Sequence, residues 1–199
     1  MTSGKFLWGA VLLLLVLVGA SLSLPGAATT QGASVGVSLP VETVAEYVHA
    51  VIQADRDIYT RHVVERMQSK GIVVASENWK EKNTLPLPAQ FLMESGRLVA
   101  KKGIGIRYRL ISLWPINELN RPTTEFEQSG LVKVIEQPNL PYVGFLEDGG
   151  KRYFQAVYAD LAVTQACIGC HNAHHSSPKR DFKLNDVMGG IVITIALGQ

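Results

Sequence analysis

One short motif in the sequence has the residue types and spacing to hold a redox cofactor. Cys167 and Cys170 are separated by two residues, and His171 follows directly. Two thiols at this spacing can form thioether bonds with the two vinyl groups of one porphyrin, and the histidine can then donate a ring nitrogen to the iron. The motif therefore predicts one covalently attached c-type haem, haem c, with His171 as the proximal ligand.

Three other chemistries use closely spaced cysteines. A disulfide between Cys167 and Cys170 would close a loop too short to restrict much of the unfolded chain. A thioredoxin-like redox pair is expected within a parallel βαβ unit, and no such pattern surrounds the motif. A zinc site could add two of the neighbouring histidines, but zinc-binding pairs are usually separated by a longer loop. The neighbouring histidines are His171, His174 and His175. For these reasons the haem interpretation is favoured over the disulfide, the redox pair and the zinc site.

The sixth iron ligand, on the distal side of the haem, is less well defined. The chain has only two cysteines, so a second thiolate is excluded. At 3.6 residues per turn, His62 falls on the apolar face of a long first helix, whereas His49 lies about a quarter-turn to the side. His62 is therefore the leading distal candidate, and an open or water-bound position is the alternative. The full set of candidates is His49, His62, His174, His175, Met67, Met93 and Met188.

Basic side chains are candidates for binding the two haem propionates. Arg107 and Arg109 occupy alternate positions in a predicted strand, and Lys179 and Arg180 follow the haem motif. Guanidinium groups bind carboxylates through paired hydrogen bonds, so Arg107 and Arg109 are candidate propionate contacts. A solvated strand face is an equally good interpretation of the same two residues.

The first half of the domain is predicted to contain one long helix and one strand. Apolar residues recur at three- and four-residue steps from Ser38 to about Lys70, with Ser38 as the N-cap and Gly71 as the terminator. Residues 72–95 are mixed in character. An alternating run over residues 104–113 then predicts a strand with apolar and arginine side chains on opposite faces.

The second half predicts an antiparallel sheet. Thr123 or Thr124 can cap a short helix. Residues 142–147 and 152–161 are predicted to pair as a hairpin through Asp148-Gly149-Gly150. The β-branched run over residues 189–197 favours a central buried strand. The fold class is therefore α+β, with a long helix before the sheet.

The N-terminal region predicts export. Lys5 precedes an apolar stretch from Phe6 to Leu24, and small residues follow. Residues 1–28 are predicted to be a signal peptide or an N-terminal membrane anchor, residues 29–37 a linker, and residues 38–199 one domain. The expected location is the periplasm, with membrane attachment only if the first segment is retained. The 19 Lys+Arg and 17 Asp+Glu residues nearly balance, and no nucleic-acid partner is expected.

From about residue 40 onward, the sequence resembles a family of periplasmic domains that carry a single c-type haem on a PAS-like fold. The resemblance rests on residues 57–64, 109–120, 125–127, and 166–172 with the final strand. Family members are free-standing exported proteins or the sensor domains of chemoreceptors and histidine kinases. The resemblance implies a PAS-like antiparallel sheet with the haem attached before the last strand. At least one relative uses a distal cysteine, which this chain lacks.

Two functions follow from these predictions. In the first, a haem that changes redox state or binds a small gas makes the domain a sensor that signals to a partner protein. In the alternative, the haem carries one electron between exported redox partners. No kinase or methyl-accepting segment follows the last strand, so a signal is expected to pass to a separate protein or through the N-terminal segment. No constellation of residues suggests a substrate, so an enzyme is not expected.

Overall fold

The structure is a computed structural model that describes residues 38–198. The predicted signal peptide or anchor and the linker, residues 1–28 and 29–37, lie outside the described residues. None of the helices within residues 38–198 is both long and apolar enough to cross a membrane.

The long first helix is present, but it is built from three segments. Helix α1 (Val41–Ile58) continues into a seven-residue π-helical segment (Tyr59–Glu65) and then into α2 (Arg66–Ser69). The helix begins after Pro40, so the prediction that Ser38 is the N-cap is wrong; Pro40 has the extended backbone of a cap residue. Gly71 ends the helix with φ +64°, as predicted.

The π-helical segment changes which side chains face the interior. Thr60 is buried, and its hydroxyl donates a hydrogen bond of 2.7 Å to the carbonyl oxygen of Arg56. A π-helix turns through a smaller angle per residue than an α-helix, so the phase of the helix drifts along the segment. Thr60 and Val64 become the buried residues, and His62 is exposed. The prediction that His62 lies on the buried apolar face is therefore wrong.

Four antiparallel strands form one sheet, in the order β1-β4-β3-β2. The strands are β1 (Ile106–Ile111), β2 (Tyr142–Asp148), β3 (Lys151–Leu161) and β4 (Val187–Leu197). The predicted hairpin joins β2 to β3 through Gly149 and Gly150, both at positive φ. The α+β prediction is confirmed.

Helices cover both faces of the sheet. Helices α1 and α4 (Pro88–Lys101) lie on the face that carries Tyr108 and Ile193, and α5 (Glu125–Glu136) lies on the opposite face against Val157. Thr124 caps α5, as predicted, by accepting a hydrogen bond of 3.2 Å from the Glu127 backbone N–H. Two shorter elements are α3 (Trp79–Lys82) and a 3-10 turn (Glu118–Asn120).

The ends of three strands meet at one edge of the sheet. Strands β1 and β3 both end there, and β4 begins there, because β4 is antiparallel to each of them. Helix α6 (Gln165–Ala173) follows β3 after three residues. This topology places the cysteine-histidine motif on α6 at that edge, before the last strand.

Candidate site on helix α6

Helix α6 carries the whole predicted attachment motif. Residues 167, 170, 171 and 174 are spaced three and four apart, so their side chains share one face of the helix. The helix begins after Thr164, whose backbone is extended. The Thr164 hydroxyl and the Cys167 thiol are 3.4 Å apart, within hydrogen-bonding distance.

Packing and a paired hydrogen bond hold α6 in place. Cys167 and Ile168 pack against a small apolar cluster of Ala162, Phe182 and Met188. The Asn172 side chain donates to the Phe182 carbonyl oxygen at 2.9 Å and accepts from the Phe182 N–H at 3.0 Å. These contacts join α6 to the loop before β4 and hold the motif in a fixed orientation.

Both thiols of the motif are free. Cys167 is half-buried, Cys170 is exposed, and the two are not joined in a disulfide. Partial burial of the Cys170 thiol still raises its pKa, and the neighbouring charges of Glu77 and Cys167 add to the effect. Within residues 38–198, no group of three or more His, Cys, Asp or Glu side chains is arranged to hold a metal ion. The zinc interpretation therefore has no support in the geometry.

The imidazole of His171 is half-buried and neutral. Burial, followed by the charges of Arg56 and His174, lowers the pKa of His171 to about 4. The Nδ1 atom is buried without a hydrogen-bond partner among the described residues. The ring meets the edge of Phe182 with centroids 5.8 Å apart. A neutral imidazole keeps a nitrogen lone pair free, which is the form that binds a metal.

The other two histidines of the loop differ from one another. The side chain of His174 is only 18% exposed, and its Nε2 lies 3.2 Å from the Glu77 carboxylate. His175 is exposed and stacks on His174 with centroids 4.6 Å apart. His175 therefore faces solvent, whereas His174 ties α6 to the segment before α3.

The chain is similar to proteins of one family over almost all of its described length. A family model described as Tll0287-like matches residues 37–196. The chain belongs to the Tll0287-like family. Among solved structures, the crystal structure of the cyanobacterial heme-protein Tll0287 has a TM-score of 0.50 and 17% sequence identity, and the match covers 81% of this chain and 99% of that one. At this identity the likeness shows the fold. No curated protein matches the chain.

The Tll0287-like fold does not bring the predicted propionate contacts to α6. Arg109 donates to both carboxylate oxygens of Glu127, at 2.5 and 3.2 Å, and also to the Arg121 carbonyl and the Thr123 hydroxyl. Arg107 lies over the Tyr153 ring at 5.5 Å. It is also near the start of β1, about 13 Å along the strand from the end near α6. Both arginines thus contact protein groups away from the motif, and their role as propionate contacts stays a prediction.

The basic residues after the motif are also engaged by protein groups. Lys179 lies 5.0 Å from the Phe182 ring centroid and pairs with Asp181 at 2.5 Å. Arg180 donates to the carbonyl oxygens of Ser177 and His175. Both residues shape the loop that follows α6.

The distal candidates lie in different parts of the Tll0287-like domain. His62 is exposed on the π-helical segment. His49 stacks on Tyr158 with ring centroids 3.9 Å apart, and its Nε2 is buried with no hydrogen-bond partner within residues 38–198. Met93 packs against the sheet core, and Met188 lies in the cluster under Cys167.

Sequence reasoning missed two charged residues that lie close to α6 in the fold. Arg56, in the last turn of α1, forms an ion pair with Asp160 near the end of β3. The sequence signal for this pair is weak, because the two residues are more than a hundred positions apart. A basic residue on the inward side of an amphipathic helix is the only local indication.

Proposed function

We propose that this Tll0287-like chain is an exported protein that binds one haem covalently through Cys167 and Cys170, with His171 as the proximal iron ligand. The observation that carries the proposal is the single face of α6, on which two free thiols adjoin a neutral imidazole. The solved structure with a similar fold is described as a heme-protein, which supports the choice of cofactor.

The residues of the site fit a c-type haem. Cys170 is exposed and Cys167 half-buried, so both sulfurs are accessible to the vinyl groups of a porphyrin. His171 can bind iron through one nitrogen while the unpartnered Nδ1 stays buried. Packing of Ile168 and the Asn172 hydrogen bonds would keep the proximal ring in one orientation. The bound haem would supply one-electron chemistry and an axial position for a small ligand.

We favour a redox or small-gas sensor with a PAS-like sheet as the function of the loaded protein. The Ala166 backbone N–H lies 3.4 Å from the Glu65 carboxylate, so the start of α6 touches the π-helical segment of the long first helix. A change at the haem thus has a short physical route to α1 and toward the N-terminal segment. Sensing would be completed by a partner protein, and we propose no enzymatic reaction.

The alternative function is one-electron transfer between periplasmic partners. The exposure of Cys170 favours it, because a haem bonded to an exposed thiol presents one edge to solvent. A solvent-facing haem edge allows close approach of a redox partner without a conformational change. Coordination of the iron separates the two functions, since sensing of a gas needs a sixth position that opens.

Expression of the full chain in a bacterium with an active periplasmic c-type haem maturation system tests the proposal. We expect the periplasmic or membrane fraction to contain the protein with covalent haem, seen as haem staining after denaturing electrophoresis and as the pyridine haemochrome spectrum of a two-thioether haem. Cys167→Ser with Cys170→Ser is expected to remove the stain, whereas His175→Ala, on the exposed side of the loop, leaves it. Covalent haem in the double serine variant would contradict the proposal.

Spectra of the reduced protein with and without carbon monoxide separate the two functions. Binding of carbon monoxide supports gas sensing, whereas a six-coordinate haem that resists it in both redox states supports electron transfer. His62→Ala tests the distal prediction in the same spectra. An unchanged six-coordinate spectrum would contradict ligation by the exposed His62.

A further inference from the structure

A buried ion pair adjoins the motif on α6. The Arg56 guanidinium pairs with the Asp160 carboxylate, and their side chains are only 17% and 8% exposed. The pair joins the last turn of α1 to the end of β3, where the chain leaves the sheet and turns into α6. Two charges in such a position are held by each other and by the surrounding protein rather than by water.

Hydrogen bonds to the backbone and strand pairing hold the two segments that carry Arg56 and Asp160. On the helix side, the Arg56 carbonyl accepts the 2.7 Å hydrogen bond from Thr60 at the start of the π-helical segment. On the sheet side, Asp160 is opposite Gly189 in the β3–β4 ladder, and the register shifts directly after it. Two residues later, Ala162 belongs to the cluster on which Cys167 packs. The ion pair is therefore a rigid neighbour of α6.

Both charges lie beside the motif. Asp160 is two residues before Ala162, which belongs to the cluster on which Cys167 packs, and α6 begins three residues after β3 ends. The long first helix that carries Arg56 also contacts the start of α6, through the Glu65 carboxylate and the Ala166 N–H. The Asp160 carboxylate is bound on the sheet side of the guanidinium.

We infer that the Arg56–Asp160 ion pair sets the reduction potential of the haem bound by His171, with the Arg56 cation favouring the reduced iron and the Asp160 anion opposing it. The inference rests on the proposed covalent haem at Cys167, Cys170 and His171. Neither residue belongs to the attachment motif, so each is expected to act on the haem through its charge.

The direction follows from the charge change at the haem. Reduction adds one electron, and a fixed positive charge in a poorly hydrated site stabilises the added negative charge. Removing the cation leaves a buried carboxylate that disfavours reduction, whereas removing the anion leaves a buried guanidinium that favours it. A general loosening of the structure would move the potential the same way in both variants, so the opposite signs identify an electrostatic effect.

Optical redox titration of the haem-loaded full chain tests the inference. We expect Arg56→Gln to lower the midpoint potential and Asp160→Asn to raise it. The double variant is expected to lie nearer the wild type than either single variant does, and Arg56→Lys, which keeps the charge, to lie near the wild type. Arg121→Gln is the matched control, because it removes an exposed guanidinium that is paired with Glu118; its potential is expected to be unchanged.

Haem staining of each variant separates failure of this inference from failure of the proposed function. Wild-type protein without covalent haem would overturn both. Normal haem content with unmoved potentials, or with shifts of the same sign in Arg56→Gln and Asp160→Asn, would overturn this inference alone. If Arg56→Gln does not fold, the near-isosteric Asp160→Asn decides the question: a raised potential supports the inference, and an unchanged or lowered one overturns it.

Discussion

Two partly buried imidazoles, His49 and His171, are kept neutral by their surroundings. Burial is the main cause for both, and it lowers each pKa to about 4. The charges of Arg56 and His174 add to the effect at His171 only. His49 instead stacks on the Tyr158 ring. A group that resists protonation when folded but accepts it when unfolded makes stability depend on pH.

The His49 side chain is expected to make the fold less stable in acid. Its pKa rises from about 4 in the folded protein to the ordinary 6.5 on unfolding, so the unfolded chain binds more protons as the pH falls between these values. The stability present above pH 6.5 is thus lost progressively as the pH falls toward 4. Between about pH 7.5 and about pH 5, His49 alone should cost about 2 kcal/mol of the free energy of unfolding.

Urea unfolding of the wild type and of His49→Phe at the two pH values measures this cost. The phenylalanine keeps an aromatic ring against Tyr158 but cannot take up a proton. The difference between the two proteins isolates His49, because every other group titrates in both. Equal losses of stability on acidification would show that His49 takes up its proton in the folded state without penalty.

The Arg109–Glu127 pair is expected to stabilise the fold without affecting the site on α6. The Glu127 side chain is only 4% exposed and also accepts from the Thr123 N–H at 2.7 Å. Arg109→Met would leave this carboxylate without its cation and should cost about 3 kcal/mol of the free energy of unfolding. Arg121→Met, which removes a guanidinium from an exposed pair with Glu118, should cost less than about 1 kcal/mol.

Thermal or urea unfolding checks both variants, and haem staining accompanies the measurement. Unchanged haem content in Arg109→Met agrees with the position of Arg109 beside α5. Loss of haem from a folded Arg109→Met protein would restore the propionate role that the geometry argues against.

Elements with strong local signals could be predicted from the sequence. Asp148-Gly149-Gly150 specified the β2–β3 hairpin because two positive φ angles are needed in a tight turn, and few residues other than glycine adopt them. Thr124 specified the start of α5 through a side-chain cap that depends on its immediate neighbours. The apolar run of β4 specified a central strand because both faces of that strand are covered.

Elements that depend on distant contacts could not be predicted in the same way. Helix α4 begins at Pro88, in a region whose mixed character predicted neither a helix nor a strand. The π-helical segment arises where Thr60 is buried and bonds back to Arg56, which no short pattern announces. The π-helical segment changes which side chains face the interior. The α-helical spacing that predicted a buried His62 therefore does not apply there.

Helix α4 is expected to tolerate no side chain at Gly96. A Cβ atom there would lie 2.6 Å from the Tyr108 carbonyl oxygen, which is rigid backbone in β1. Gly96→Ala should therefore force α4 away from the sheet and cost about 1–3 kcal/mol of the free energy of unfolding.

The matched comparison is Gly169→Ala, in the exposed middle of α6. A Cβ there meets no atom within 4 Å, so the higher helix propensity of alanine should stabilise the protein by about 0.5–1 kcal/mol. Urea unfolding of both variants measures the two effects. Equal changes in the free energy of unfolding for the two variants would mean that a methyl group fits between α4 and β1 at Gly96.

At the scale of the whole domain, the motif lies where segments far apart in sequence converge. Glu65 in the π-helical segment contacts the start of α6. Glu77, just before α3, pairs with His174, which directly follows α6. Phe182 and Met188 complete the cluster under Cys167. The motif itself was visible from its spacing, whereas these neighbours come from four separate regions, which is why the sequence identified the centre of the site but not its surroundings.

Haem attachment should therefore order one end of the domain and leave the other unchanged. The β2–β3 turn at Gly149 and Gly150 is at the opposite end of the sheet from α6, because β3 is eleven residues long and begins at that turn. Comparison of the haem-loaded protein with the Cys167→Ser, Cys170→Ser variant by hydrogen exchange should show greater protection in residues 59–82 and 165–186 of the loaded protein. Exchange in residues 142–153 should be the same in both proteins. Protection that rises uniformly along the chain would mean that the haem stabilises the domain as one unit, and unchanged exchange near α6 would mean that the site is already rigid without it.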